Sequence, residues 1–255
     1  VANGDTLNTD SLRQAERSDR FGLFAPASTG SANEVVIENG RLQVAINTHG
    51  GKPSVIRLKE YQTHEKTPLY LADPERSTYE FRFFIGNRDI STNDLFFTVE
   101  KQEPGSVVLK APTSDPARYL RLTYLLDSTS YFMDTRAELI GLENDVDARN
   151  TVFHWELTGF SNEKYRDGEL RKGSVYYKYF NSDRDYLSET SAEQKKLEGK
   201  TNWVAFKQDF FTVAMVSQEG FASSGSEIGI EPLEDTLHTK HYSAKHYYEK
   251  ERGAK

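Results

Sequence analysis

Short segments in which apolar and polar residues alternate recur along most of this chain. Between Leu120 and Leu126, leucines and a tyrosine alternate with arginine and threonine. A period of two is the spacing at which side chains of a β-strand face the same side, so each such segment predicts a half-buried strand. Further segments of this kind are Leu42–Asn47, Ile56–Leu58, Tyr79–Ile85, Leu95–Val99, Val107–Leu109 and Tyr131–Ile140.

Turn-forming residues separate these segments. They are Asn39-Gly40, Gly86-Asn87, Pro104-Gly105, Asp115-Pro116 and Asp127-Ser128. Gly50-Gly51 permits positive φ and predicts a hairpin turn, after which Pro53 is expected to end the ladder. Almost no helix signal lies between the strands, which favours sequential antiparallel sheets. With 12% aromatic residues to fill the gap between opposed sheets, the sequence predicts an all-β sandwich.

The second half carries weaker signals. Ser191 and Gln194 form a capping-box pattern and Gly199 is placed as a helix stop, so Ala192–Glu198 is predicted as either a two-turn helix or a loop. The segment Ser223–Pro232 is interpreted as a loop. From His238 to Glu249 no periodicity is clear, which leaves the part of the chain after Gly220 unassigned.

The first residues are polar and offer few candidates for a core. Residues 1–33 are therefore interpreted as a flexible tether, with a weak helix signal at Ser11–Arg17. Arg20–Ala27 is apolar enough to lie against a neighbouring surface, although a floppy linker is the favoured interpretation. Residues 34–255 are predicted to form one domain.

Composition narrows the classes of function. The 255 residues include no cysteine, which excludes a disulfide scaffold and any thiolate site. The net charge is −7 and no more than two basic residues are consecutive, which argues against binding to nucleic acid or anionic lipid. No apolar run approaches the roughly 20 residues of a spanning helix. The N-terminus has no basic start followed by an apolar stretch, so we expect a cytosolic protein, a processed product or a soluble piece of a larger protein.

The pair with the most catalytic character is His154 and Glu156. Two residues apart on a strand, they face the same side, and Phe153, Trp155 and Leu157 face the other. An imidazole beside a carboxylate could act as general acid and base, for example in ring opening of a sugar by a mutarotase-like sandwich. The favoured interpretation is the polar, solvent-facing side of a strand.

Three histidines near the C-terminus are the candidates for a metal site: His238, His241 and His246. Their spacing lacks the i, i+4 arrangement of a helical zinc motif, so they are interpreted as surface residues near a frayed terminus. His49 and His64 lie in predicted turns and are expected to be exposed. The sequence predicts no metal, cofactor or catalytic residue.

The tyrosines Tyr176, Tyr177 and Tyr179 could stack on a sugar or a peptide if they face a concave sheet. The favoured alternative is a strand with Val175, Tyr177 and Tyr179 on one face and Tyr176 with Lys178 on the other. Nucleophile-elbow, P-loop and dinucleotide-binding glycine patterns do not occur in the sequence.

Several segments, in order, resemble the periplasmic domain of YidC-type membrane protein insertases. They are Ile37–His64, Thr67–Leu71, Tyr176–Phe180, Asp185–Thr190 and Trp203–Phe211, the last with a tight polar turn at Lys207–Asp209. The resemblance covers roughly residues 37–216 with gaps. Its most specific part is W-V-A-F-K-Q joined to the upstream L-S-E.

This resemblance implies an extended β-sandwich related in architecture to galactose mutarotases, on the outer face of the bacterial inner membrane between the first and second membrane helices of an insertase. It also implies a docking or scaffold role for Sec translocon components or nascent membrane proteins, with no catalytic residue to transfer. The chain lacks the membrane helices and the positively charged groove of the whole insertase. A carbohydrate-binding or mutarotase-like module using His154 and Glu156 is the alternative from another class, and a cytosolic β-rich module is a third.

Overall fold

A computed structural model describes residues 4–146, 151–222 and 225–247. The helical elements are α1 (Gly4–Phe21), a 3₁₀ helix (Gly22–Ser28), a 3₁₀ turn (Thr92–Asp94) and α2 (Arg166–Leu170). The strands are β1 (Glu34–Glu38), β2 (Leu42–Asn47), β3 (Lys52–Gln62), β4 (Pro68–Tyr70), β5 (Thr78–Ile85), β6 (Arg88–Ser91), β7 (Thr98–Glu103), β8 (Ser106–Pro112), β9 (Tyr119–Leu126), β10 (Met133–Ile140), β11 (Val152–Phe160), β12 (Ser174–Tyr179), β13 (Arg184–Tyr186), β14 (Glu193–Lys196), β15 (Thr201–Lys207), β16 (Thr212–Phe221), β17 (Glu227–Pro232) and β18 (His238–Tyr247).

These strands form four sheets. Sheet one has the order β1-β2-β3-β4 and sheet two the order β10-β9-β8-β7. Sheet three has six strands in the order β14-β17-β18-β11-β5-β6, and sheet four has the order β13-β12-β15-β16. Neighbouring strands are antiparallel in all four sheets. The predicted all-β, antiparallel architecture is confirmed.

Alternation in the sequence becomes alternation in burial. The apolar positions of β9, from Leu120 to Leu126 in steps of two, are at most 5% exposed, whereas Arg121 and Thr123 between them are half-buried. The turn before β3 uses Gly50 and Gly51 at φ +89° and +60°, as predicted. Pro53 does not end the ladder, however, because it pairs with Ile46 at a register shift that absorbs its missing N–H donor.

Two buried clusters lie between the sheets. One is built from sheets one and two together with Phe83 and Ile90 of sheet three. The other lies between sheets three and four, where Trp155 stacks on Phe206 with ring centroids 3.8 Å apart. Tyr79, Phe81 and Val213 pack against both clusters, so the core is continuous along an extended sandwich.

The N-terminal segment differs from the predicted flexible tether. It begins with the helix α1, and the 3₁₀ helix after it inserts Phe24 and Ala27 into the first cluster at 0% and 1% exposure. Phe24 meets Phe83 edge-to-face with centroids 5.7 Å apart. The apolar run at Arg20–Ala27 therefore lies against the sandwich, since burying a phenylalanine offsets the entropy cost of ordering the segment. The single-domain boundary at residues 34–255 stays a prediction.

Two predictions for the second half are wrong. The capping-box segment contains no helix; Glu193–Lys196 is the edge strand β14, paired with β17, and Leu197 beyond it is buried. The loop interpretation of Ser223–Pro232 is wrong for Glu227–Pro232, which is β17, whereas Ser223 and Ser224 lie outside the described residues. Of the unassigned segment, His238–Tyr247 is β18, which pairs with β17 and lies beside β11 within sheet three. None of the described helices is long and apolar enough to cross a membrane.

Candidate functional site

The sequence-predicted pair His154 and Glu156 lies on the outer face of sheet three. His154 Nε2 is 3.0 Å from Glu156 Oε1, and its Nδ1 is 3.7 Å from Glu80 Oε2 on the neighbouring strand β5. Phe153, Trp155 and Leu157 face the core, as the spacing predicted. The row continues to β18, where His241 Nε2 is 3.9 Å from Glu156 Oε2 and its Nδ1 is 2.9 Å from Thr158 Oγ1.

These charges fix one another's protonation states. Hydrogen bonding to Glu156, then to Glu80, raises the pKa of His154 to about 9 in spite of its partial burial. Hydrogen bonds from His154, and secondly from His241, hold the pKa of Glu156 far below its usual range. Burial acts to raise the pKa of Glu80, but His154, the Ser91 hydroxyl and Arg82 together lower it. At neutral pH the row is an imidazolium held between two carboxylates.

This arrangement does not suit acid–base catalysis. An effective general acid or base has a pKa near the working pH, whereas His154 keeps its proton and Glu156 is a weak base. The mutarotase-like interpretation also requires a pocket with a further acid or base opposite the pair. A shallow depression of about 460 Å³ lies elsewhere, on the outer face of sheet two. Its lining is mostly charged: Glu100, Lys101, Val108, Arg121, Thr123 and Glu138.

The three C-terminal histidines are not brought together. His238 and His246 face the core side of β18, eight residues apart, and His241 faces the other side. The prediction that they are surface residues is wrong for two of them: His238 is 5% and His246 0% exposed. Among the described residues, no group of three or more histidine, aspartate or glutamate side chains is placed to hold a metal ion.

Each buried histidine has a structural reason to be inside. His238 lies between Asp73, whose Oδ2 is 2.9 Å from Nε2, and Asp235, whose Oδ1 is 2.9 Å from Nδ1. Arg76 completes the cluster by donating to Asp235 Oδ2 at 2.8 Å. His246 stacks on Phe221 with centroids 4.0 Å apart, and burial lowers its pKa to about 4, so it is neutral. Of the two turn histidines, His64 is exposed as predicted.

His49 is the exception among the turn histidines, because it is half-buried and stacks on Phe96 with centroids 4.3 Å apart.

The buried cation Lys240 was missed by sequence reasoning. It is 1% exposed on β18, and its Nζ donates to the carbonyl oxygens of Gly173 and Glu189 at 2.5 Å each. Burial lowers the pKa of Lys240 to about 8. Glu189 belongs to the D-Y-L-S-E-T segment, and Leu187 of that segment is 1% exposed with its carbonyl oxygen bound by Ser174 Oγ. Lys240 and Leu187 therefore fix this polar-looking segment to the core.

The tyrosine-rich strand β12 follows the favoured prediction. Val175 and Tyr177 are fully buried, with Tyr179 packed beside them, and Tyr176 faces outward. Tyr176 stacks on Tyr186 of β13, with centroids 5.1 Å apart.

Around Tyr176 the outer surface of sheet four is apolar, and we call this surface the aromatic face. One row across the sheet contains Tyr186, Tyr176, Ala205 and Ala214, and the next contains Arg184, Lys178, Trp203 and Val216. Tyr186 is 54% and Val216 60% exposed, so the surface is open. Neither row contains an acidic residue, although the chain carries a net charge of −7.

This face combines apolar area, rigidity and positive charge. A sheet fixed from below by a buried cluster holds its outward side chains in place, and exposed aromatic residues beside cations are typical of protein-binding surfaces. Sequence reasoning assigned Tyr176 to this side but missed Trp203, Ala214 and Val216. The alternation of β15 and β16 was the signal that could have placed them together.

Comparison with known proteins identifies the family. The model of the YidC periplasmic domain matches residues 34–246. The membrane protein insertase YidC of Parabacteroides distasonis is 31% identical over 233 residues, which cover 89% of this chain and 36% of that protein. The protein of the same name from Porphyromonas gingivalis is 31% identical over 219 residues, covering 84% of this chain and 35% of the relative. The chain thus spans about a third of the length of these relatives.

Solved structures give weaker similarities. A galactose mutarotase-like protein from Lactobacillus casei has a TM-score of 0.46 at 9% identity, with 84% of this chain and 87% of that chain covered. A galactose mutarotase related enzyme from Lactobacillus acidophilus has a TM-score of 0.42 at 12% identity, with 84% of each chain covered. Similarities of this size carry no argument about this chain. The family is shown by the match over residues 34–246 and by the 31% identity to two insertases. The chain belongs to the YidC periplasmic domain family.

Proposed function

We propose that this chain is a docking module on the periplasmic face of the bacterial inner membrane, within a membrane protein insertase, and that it acts by binding proteins rather than by catalysis. Its partners are components of the Sec translocon or nascent membrane proteins. Membership of the YidC periplasmic domain family supports this assignment. Two relatives that are 31% identical to the chain over 233 and 219 aligned residues are named membrane protein insertases.

The aromatic face is the observation that carries the proposal. It presents Tyr186 and Val216 at 54% and 60% exposure, beside the half-buried Trp203. The strands beneath are held by the stacked pair Trp155 and Phe206, so partner binding costs little ordering of the platform. Lys178 and Arg184 at the same face suit a partner that combines apolar and acidic side chains.

The polar row of sheet three supports the non-catalytic half of the proposal. His154, Glu80 and Glu156 are engaged with one another, and the pKa of His154 is raised to about 9. The imidazolium attracts a carboxylate on each side, and these contacts stabilise the outer face of the sheet.

Site-specific photocrosslinking in the parent insertase, in its own cells, tests the proposal. A photoreactive phenylalanine analogue replaces Tyr186 on the aromatic face or, as the matched control, Glu227 on the outer face of sheet three; both are exposed strand residues. We expect protein adducts from position 186 and few from position 227. Adducts from neither position, or from position 227 alone, would contradict the proposal.

A further inference from the structure

In the described part of the chain the four sheets have eight edge strands, and these are not equally protected. An edge strand carries unpaired N–H and C=O groups and can accept a further strand, and natural proteins block this with short strands, charges, proline, bulges or covering segments. Seven of the eight edges here have such a feature. The eighth edge is β16.

Four protected edges are short strands of three or four residues with charge or proline. They are β4 (starting at Pro68), β6 (Arg88 and Asp89), β13 (Arg184 and Asp185) and β14 (Glu193, Lys195 and Lys196).

The three longer protected edges carry charge or are covered. Strand β7 has Glu100, Lys101 and Glu103 and a register shift, and β10 has Asp134, Arg136 and Glu138. Strand β1 has glutamate at both ends and is covered, since Glu38 N donates to Pro104 O at 2.7 Å and Gln102 Nε2 to Val36 O at 3.3 Å.

Strand β16 has none of these features over its regular part. It pairs with β15 continuously from Thr212 to Val216, and the ladder becomes irregular only after Val216. No charged residue and no proline occurs from Phe210 to Gln218. Within residues 4–146, 151–222 and 225–247, the ladder pairs β16 with β15 alone. In an antiparallel pair, alternate residues direct both N–H and C=O away from the partner, so this edge presents regularly spaced donors and acceptors.

The two sides of β16 define what an added strand would contact. Val213 and Met215 face inward and are half-buried against the core clusters, whereas Thr212, Ala214 and Val216 face outward at the margin of the aromatic face. An incoming strand would therefore place every second side chain beside Val213 and Met215. At these positions the incoming strand should carry apolar residues. Its intervening side chains would lie next to Ala214 and Val216.

We propose that the free edge of β16 binds an extended segment of a partner polypeptide by strand addition, with apolar side chains at alternate positions of that segment. An extended backbone is complementary to this edge, because it satisfies a row of backbone donors and acceptors with its own. This inference rests on the proposed docking function and adds to it the place and the mode of binding.

The test measures peptide binding to this chain. The probe is a capped, fluorescent peptide that alternates valine with threonine and ends in lysines; its control is the same peptide methylated at alternate backbone nitrogens, which removes the ladder donors. We expect the unmodified peptide to bind and to slow hydrogen exchange at alternate amides of Thr212–Val216. Loss of two hydrogen bonds should weaken the methylated peptide by about ten-fold or more.

Two alanine variants provide a matched control on the protein side. Ala214→Lys adds to β16 the charge that the other edges carry, and Ala137→Lys makes the same change on β10, whose edge is already charged; both alanines are exposed. Ala214→Lys should weaken the peptide by about ten-fold and Ala137→Lys should leave it unchanged. Unaltered circular dichroism and thermal unfolding in both variants show that folding is not the cause.

Three results would overturn the inference: equal affinity for both peptides, equal effects of both variants, or protection of the β16 amides that appears without peptide as the protein concentration rises. The last result would identify a second copy of this chain as the occupant. Crosslinks from Tyr186 without protection of β16 would reject strand addition and leave the docking function intact. If neither crosslinks from Tyr186 nor protection of the β16 amides were found, both strand addition and the docking function would be rejected.

Discussion

Trp155 of β11 stacks on Phe206 of β15, with ring centroids 3.8 Å apart and 22° between the ring planes, and so joins sheet three to sheet four. The two residues are 5% and 0% exposed. The outward side chains of β15, including Trp203, lie one layer above this contact. The stability of the aromatic face therefore depends on a pair of rings buried beneath it.

Trp155→Ala should lower the free energy of unfolding by about 3–5 kcal/mol, because it removes buried aromatic surface and leaves a cavity between the sheets. The other tryptophan of the chain provides the control: Trp203→Ala, on the half-buried outer side, should cost about 1 kcal/mol or less. Urea unfolding followed by circular dichroism measures both. Equal losses would mean that Trp155 does not form the contact between the layers.

Gly51, in the turn before β3, and Gly86, between β5 and β6, provide a second pair of variants. Gly51 has φ +60°, and a Cβ there would lie 2.7 Å from Leu122 Cδ1 in the core. Gly86 has nearly the same φ, +61°, but nothing lies within 4 Å of its Cβ position. Gly86→Ala should therefore cost about 1–2 kcal/mol for the left-handed backbone alone, and Gly51→Ala about 1–3 kcal/mol more for the overpacking. Chemical unfolding of the two variants checks this order, and similar costs would contradict it.

His154 should titrate near pH 9 in the folded chain, as followed by the imidazole signals in NMR. Its folded pKa is raised above the usual 6.5, so its stabilising effect is fully present below about pH 6.5 and is lost as the pH rises through 9. The stability difference between the wild type and His154→Gln should accordingly shrink over this range, by on the order of 1 kcal/mol for a partly exposed pair. Glu156→Gln should lower the His154 midpoint. A midpoint at 6.5 in the wild type would show that the two carboxylates do not hold the proton.

Lys240 should show the opposite dependence on pH. Its folded pKa, lowered by burial to about 8, lies below the ordinary value of 10.5, so the unfolded chain binds more protons between these values and stability rises with pH. The neutral amine still has two N–H donors for the carbonyl oxygens of Gly173 and Glu189. The wild type should gain stability over Lys240→Met between pH 8 and 10. A constant difference in the urea midpoints of the two proteins would disprove the shift.

The sequence predicted the first half of the fold well, because strands such as β2, β5 and β9 place apolar residues at every second position and turn residues between them. It failed for β18, whose core-facing positions are His238, Lys240, Tyr242, Ala244 and His246. Two histidines and a lysine at core positions remove the apolar alternation. The partners of His238 and Lys240, which are Asp73 and the carbonyl oxygen of Gly173, lie far away in the sequence and cannot be identified from local pattern.

The error at β14 has a related cause. Ser191 and Gln194 fit a capping box, but pairing of Gln194 with Gly229 decides the structure of that segment. For the candidate site, the placement of His154 beside Glu156 was predictable from a spacing of two. The contribution of Glu80 and His241 was not, because they come from strands that join β11 only in the folded sheet. The exposed edge of β16 likewise follows from the order of strands rather than from its own residues.

Variants of the two outer faces, made in the full-length protein, show whether partners dock on the aromatic face. Tyr186→Asp with Trp203→Asp alters the aromatic face, and His154→Gln with Glu156→Gln alters the polar row. Because His154 and Trp203 each contribute to stability, the control for folding is a native circular dichroism spectrum of the isolated chain at the temperature of the experiment. The measurement is recovery of crosslinked protein partners from cells that carry each version. We predict that the first pair loses the partners and the second pair keeps them. If the polar-row variants lost the crosslinked partners and the aromatic-face variants kept them, docking through the aromatic face would be contradicted.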